Sequence, residues 1–238
     1  MNLNKLKYFL PIRSFIFIAV FLIGSVVVNK SLSEISNWWS VVASIVNILM
    51  SFIFLLAIRN KDYSFSKLVN LERGKTKPKQ IILMILLILF VGMGGMYLAG
   101  FVCYGVIPYA APMMIAPIPL WLAIINFFVL PVSTAIVEDG LYLGCGVNQI
   151  KNKYLAILVP AFFFALQHCF IPTILDIRYI VYRFLSFLPL TIILCWRYYK
   201  NRNPLPIMIG HAVIDLATVS QILLTSAMPE MYEMMCNL

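Results

Sequence analysis

The stretch Leu120–Gly146 reads LWLAIINFFVLPVSTAIVEDGLYLGCG, and its 27 residues hold only two charged side chains, the adjacent Glu138 and Asp139. A hydrocarbon core about 30 Å thick is crossed by about 20 apolar residues of helix, each rising ~1.5 Å. This stretch is therefore a membrane span with room to spare. The rest of the chain has the same character: 238 residues, 62% hydrophobic and 11% charged, with mean hydropathy +0.94. Soluble domains sit nearer ~45–50% apolar and ~25% charged, so the composition excludes them. The apolar residues suffice for roughly seven spans at ~20 residues each. The net charge of +9 is not a nucleic-acid footprint, because Lys and Arg in such a chain are first of all topology signals.

Working outward, the apolar runs predict an all-α, polytopic membrane helical bundle of about seven transmembrane helices. They lie at Phe9–Val28, Trp38–Ile58, Ile81–Tyr104, Leu120–Gly146, Tyr154–Ile171, Ile177–Trp196 and Leu205–Thr225. The first follows Lys5 and Lys7 but is too long for a signal-peptide core and has no small-x-small cleavage site after Val28, so it reads as a retained span. Fifteen of the 18 Lys and Arg residues, among them Lys5, Lys7, Arg13 and the connector Arg59–Lys79, fall on one side of the alternating spans. Positive loops stay in the cytoplasm, so the N-terminus is expected inside and the C-terminus, with Glu230 and Glu233, outside. The chain divides by expectation into residues 1–119 (three spans and a basic loop, 59–80), a core at 120–225 and a short tail at 226–238.

The Pro-rich stretch Pro108–Pro119 cannot continue a helix and reads as a re-entrant or interfacial loop, or a stiff connector. Gly92, Gly94, Gly95 and Gly100, with Ala99, read as positions of close helix approach. Five scattered cysteines without CxxC imply neither a disulfide framework nor a thiolate metal site.

Ionisable residues at membrane depth are expensive and mark function. Span four holds Glu138 and Asp139, span five His168, span seven His211 and Asp215. One such His is most simply a hydrogen-bonded packing residue. Both histidines of the chain and three of its nine acids on three helices point instead to a shared cluster. His211 and Asp215 are i,i+4 and share a helix face, as do Phe164 and His168. Counting inward from helix ends at ~1.5 Å per residue puts Glu138 ~12 Å deep, His211 ~9 Å and His168 ~21 Å. A kink at Pro131 or a tilt would have to close that gap.

A carboxylate beside an imidazole can activate water as a general base, and a second imidazole with a polar neighbour can stabilise an oxyanion. That combination hydrolyses peptides without a nucleophilic side chain. Two His and a carboxylate could bind zinc, but HExxH is absent. No GxSxG supports a serine hydrolase. Proton or ion transport is the remaining reading of intramembrane acids, without the paired broken helices of inverted repeats.

Three motifs carry a family resemblance. Glu138-Asp139-Gly140-Leu141-Tyr142-Leu143 stands where the family has EExxxR, Phe164-Ala165-Leu166-Gln167-His168 is FxxxH, and His211-Ala212-Val213-Ile214-Asp215 is HxxxN/D. In order and separation they resemble the CPBP family, the CAAX-protease and bacteriocin-processing (Abi) group of intramembrane glutamic endopeptidases. The likeness covers roughly Leu120–Thr225. It implies that Glu138 and His168 activate the attacking water and that His211 and Asp215 stabilise the oxyanion, with Asp139 and Phe164 in support and no cofactor or metal. The implied substrate is a membrane-associated peptide or protein in the lipid bilayer: a prenylated C-terminus in eukaryotic relatives, more often a peptide precursor in bacterial ones.

The sequence departs from the pattern at Asp139, a methylene short, at Leu143, where the motif has Arg, and in span six, where Phe184–Leu194 lacks the family's glycines. Arg183, the one cation well inside span six, has two readings: it replaces the motif Arg, or it snorkels to the outer interface. The departures support an alternative function, a catalytically impaired CPBP-fold protein in bacteriocin self-immunity, or a regulator docking a membrane protein partner. Lys-, Asn- and Ile-rich usage is compatible with an AT-rich bacterium.

Overall fold

A computed structural model describes residues 7–59, 64–107 and 111–236; Lys5, Lys61 and Pro108 lie outside the described residues. Ten helices follow in order: α1 Ile12–Val28, α2 Leu32–Ile35, α3 Trp39–Arg59, α4 Phe65–Leu68, α5 Pro78–Tyr104, α6 Leu120–Asp139, α7 Lys153–His168, α8 Ile177–Asn201, α9 Leu205–Ala227 and α10 Pro229–Cys236. No strand occurs among the described residues. Local chemistry sets the boundaries. Asn152 accepts the Tyr154 and Leu155 amides to start α7, and Asp176 accepts the Tyr179 amide to start α8. Pro78 opens α5, and Gly105, at φ 72°, ends it.

Among the described residues, six helices are long and apolar enough to cross a membrane. The fifth expected span is shorter than the apolar run suggested. α7 has 16 residues, about 24 Å of helix against a ~30 Å core, because the chain turns after His168 through Phe170–Thr173. The fourth span is longer and irregular: α6 continues through a π-helical turn at Gly140–Val147, where all eight side chains are buried.

The seven long helices close a ring. α1 packs on α7, α7 on α8, α8 on α5, α5 on α9, α9 on α6, α6 on α3, and α3 returns to α1. α5 and α8 approach closely where a Cβ on Gly95 would lie 2.5 Å from the Ser186 carbonyl oxygen. The small residue that span six lacks is thus supplied by its neighbour. Gly94, one residue on, faces open space.

Each mouth of the ring is covered. At the basic end, α4 and the following residues fold back, burying Leu68 and Val69. Tyr198 donates to the Val69 carbonyl at 2.8 Å, Asn148 to the Leu68 carbonyl at 2.7 Å, and Arg202 to Asn148. At the opposite end the segment Ala111–Pro119 packs against α9 and α3. Thr225 donates to the Ile115 carbonyl at 2.7 Å, Ser226 accepts the Ile118 amide at 3.0 Å, and Trp39 donates to the Met114 carbonyl at 3.3 Å.

Candidate active site

The ring brings every expected site residue except Arg183 into one polar centre. The depth mismatch read from the sequence disappears because the two helices start at different levels. A Cβ on Gly146 would lie 2.7 Å from the Pro160 ring, so Gly146 and Pro160 are at the same height. From that level Glu138 and His168 are each eight residues inward, about 12 Å for His168 at ~1.5 Å per α-helical residue and less for Glu138, whose path runs through the π-helical turn. The first turn of α7 projects beyond the end of α6, with Tyr154 and Leu155 exposed; no kink at Pro131 is needed.

Glu138 is 3% exposed and both carboxylate oxygens are engaged. Oε1 accepts from Arg13 Nη2 at 2.7 Å, and Oε2 accepts from Gln167 Nε2 at 2.6 Å. Gln167 Oε1 in turn accepts from Arg13 Nε at 2.7 Å and from the Tyr142 hydroxyl at 2.9 Å. The third contact of Arg13 is Nη1 donating to Asn47 Oδ1 at 2.7 Å. Asn47 is held by donating to Thr134 Oγ1 at 2.9 Å and Ser133 Oγ at 3.2 Å. Four helices, α1, α3, α6 and α7, thus converge on one carboxylate.

His211 is surrounded by acids. Its Nδ1 lies 3.5 Å from Asp139 Oδ1, and its Nε2 lies 3.8 Å from Glu138 Oε2 and 4.0 Å from Asp215 Oδ2. The Nε2 separations exceed a direct hydrogen bond. Asp139 Oδ1 and Oδ2, His211 Nδ1 and Asp215 Oδ2 are buried without a hydrogen-bond partner in the chain. Asp215 is the most accessible of the three acids, its side chain 23% exposed. Among the described residues no set of three or more His, Cys, Asp or Glu side chains is arranged to hold a metal ion.

His168 donates Nδ1–H to the Phe164 carbonyl at 2.7 Å, which leaves Nε2 as an acceptor in the neutral ring. Its ring stacks on Phe187, centroids 3.7 Å apart, and it lies within electrostatic reach of Glu138. Phe164 forms the floor between the two histidines, its centroid 5.8 Å from His168 and 5.9 Å from His211, with Tyr142 stacked beneath it at 4.5 Å.

Two cations differ from expectation. Arg183 neither snorkels nor meets the carboxylates. It is 5% exposed and donates to the carbonyls of His168 and Ile171, both at 3.1 Å, with its guanidinium 4.8 Å from the Phe187 ring. It caps the carbonyl end of α7, where a positive charge opposes the helix dipole. Arg13, counted among the loop charges, is fully buried in the site. It stands four residues inside the apolar run that begins at Phe9, which was a visible signal of an ionisable group at membrane depth. Asn47 was also legible, since Ser40, Ser44, Asn47 and Ser51 repeat at helical spacing along α3. Gln167 and Tyr142 carry no charge and offered no comparable signal.

Residues 119–217 match the family model described as type II CAAX prenyl endopeptidase Rce1-like. No curated protein and no solved structure matches the chain. Glu138, Asp139, His168, His211 and Asp215 all fall within the matched residues, so the part of the chain that holds the polar centre is similar to that family.

Proposed function

We propose that this chain is an intramembrane endopeptidase that hydrolyses a peptide bond of a membrane-associated peptide or protein with a water activated by Glu138 and His168. The observation that supports the reading is the approach of Glu138 Oε2 and Asp215 Oδ2 to within 4.0 Å of His211 Nε2, inside a segment that matches a CAAX protease family model.

In this reading a water beside Glu138 gives its proton to the carboxylate, with His168 Nε2 as the second acceptor. The new C–O bond turns the scissile carbonyl into an oxyanion. His211, with Asp139 beside Nδ1, donates Nε2–H to that oxyanion, and Asp215 orients the imidazole from the same helix. Collapse breaks the C–N bond, and the proton held by Glu138 passes to the leaving amine. General-base activation contributes typically 10²–10⁴-fold and an oxyanion donor about 10²–10³-fold. The basic end is taken as cytoplasmic, as the excess of Lys and Arg there favours.

The test is cleavage of membrane-anchored peptides, prenylated and unprenylated, by the purified chain in lipid nanodiscs. Wild type should cleave at least one class, and Glu138→Gln should lower its kcat roughly 1000-fold. If wild type cleaves nothing, and Glu138→Gln and His168→Ala both complement a deletion strain, hydrolysis is not the function and the immunity or regulatory role replaces it.

A further inference from the structure

The first motif lacks its Arg, because Leu143 occupies that position, yet the Glu138 carboxylate has a guanidinium. We propose that Arg13, on α1, is the positioning residue that holds the Glu138 carboxylate in its working orientation. The cation missing from the motif is thereby supplied from a helix more than a hundred residues away in sequence.

Three observations carry this. First, Arg13 is 0% exposed, and three of its nitrogens donate at 2.7 Å to Glu138, Gln167 and Asn47. A guanidinium is a rigid planar fork of donors, so contacts to α3, α6 and α7 together fix its plane and the carboxylate it pairs with. Second, the acceptors are themselves held: Asn47 by Ser133 and Thr134 on α6, and Gln167 by the Tyr142 hydroxyl. Arg13 therefore has one seat. Third, Arg183, the other buried Arg beside the ring centre, is committed to backbone carbonyls. Among the described residues, Glu138 forms a salt bridge within 4.0 Å with Arg13 and, should it be protonated, His211. Arg13 anchors Glu138 Oε1 directly and, through Gln167, also steadies Oε2, the oxygen nearer His211. Loss of the motif Arg is on this view a relocation of charge, so it is no argument for an inactive protein.

The kinetic part rests on the endopeptidase reading; the pairing itself does not, and two measurements on the full-length protein in nanodiscs separate them. The first is cleavage kinetics of Arg13→Gln and Arg13→Lys. Arg13→Gln should lower kcat roughly 100-fold with KM little changed, the size of loss that follows a small misplacement of a reacting group. Arg13→Lys, which keeps the charge but loses the fork, should recover about a tenth of wild-type kcat. A folded Arg13→Gln with wild-type kcat overturns the proposal. The second is a thermal double-mutant cycle with Glu138→Gln, which needs no substrate. Each single variant leaves a buried charge unpaired, so Arg13→Gln/Glu138→Gln should melt above Arg13→Gln alone, and should fold even if the single variant does not. A double variant no more stable than Arg13→Gln overturns the pairing whether or not any peptide is cleaved.

Discussion

Gln167 and His168 are neighbours in sequence with opposite duties. Gln167 is fully buried and serves Arg13, Tyr142 and Glu138 at once. Replacing it by Met removes the amide and strands three polar partners, each worth about 1–3 kcal/mol when left unpaired in a buried site. Gln167→Met should therefore lower the melting midpoint by many degrees in detergent. Among the described residues the His168 imidazole makes one hydrogen bond, to the carbonyl one turn back on its own helix. His168→Gln should leave the midpoint within a few degrees and remove cleavage, and comparable melting of the two variants would contradict this division. Asp139 illustrates the same scale on the oxyanion side. Asp139 is fully buried beside His211 Nδ1; in the proposed mechanism it orients the imidazole, and Asp139→Asn should lower kcat about 100-fold, the loss expected for a weakened oxyanion donor; unchanged kcat would detach Asp139 from the reaction. What was legible at this scale was charge. Glu138, Asp139, His168, His211 and Asp215 stood out because ionisable groups are rare in spans. Gln167 and Tyr142 were silent because an amide or phenol in an apolar helix is ordinary. Arg13 was visible and misassigned, since a basic residue near a span's end is most often a topology charge.

At the level of elements, helix positions followed from hydropathy, and their relative heights did not. Hydropathy marks where a helix enters apolar surroundings but not how far it slides along its neighbour. That is decided by contacts such as Gly146 against Pro160, between residues on two different helices. The π-helical turn Gly140–Val147 was equally hidden, because its apolar sequence reads as continuing α-helix; such turns commonly sit beside functional residues. The height of α7 is testable. Gly146→Val puts a branched side chain into the Pro160 ring, so α7 must move away or slide, carrying Gln167 and His168 with it. Cleavage should fall roughly 100-fold while far-ultraviolet circular dichroism stays that of the wild type. Gly94→Ala, which faces open space on α5, serves as the control and should be neutral. Equal activity of both variants would show that this contact does not set the register.

For the whole molecule, the ring explains why residues before the matched stretch belong to the site: α1 and α3 close the circle between α7 and α6, and bring Arg13 and Asn47 with them. The ring also groups the connections at two ends, and the rule that positive loops stay in the cytoplasm leads us to expect the basic end inside. Moving Arg13 from the loops to the interior takes one residue from the fifteen on the basic side and leaves the bias intact. The orientation then predicts a labelling pattern that uses the protein's own cysteines. Cys236, at the end of α10, is exposed, whereas Cys145, Cys169 and Cys195 are buried. In a Cys103→Ser background, a membrane-impermeant maleimide applied to intact cells should label Cys236. Cysteines introduced at Lys75 or Lys153, on the basic end, should label only after permeabilisation. The reverse pattern would place the basic end outside, against the rule that positive loops stay in the cytoplasm.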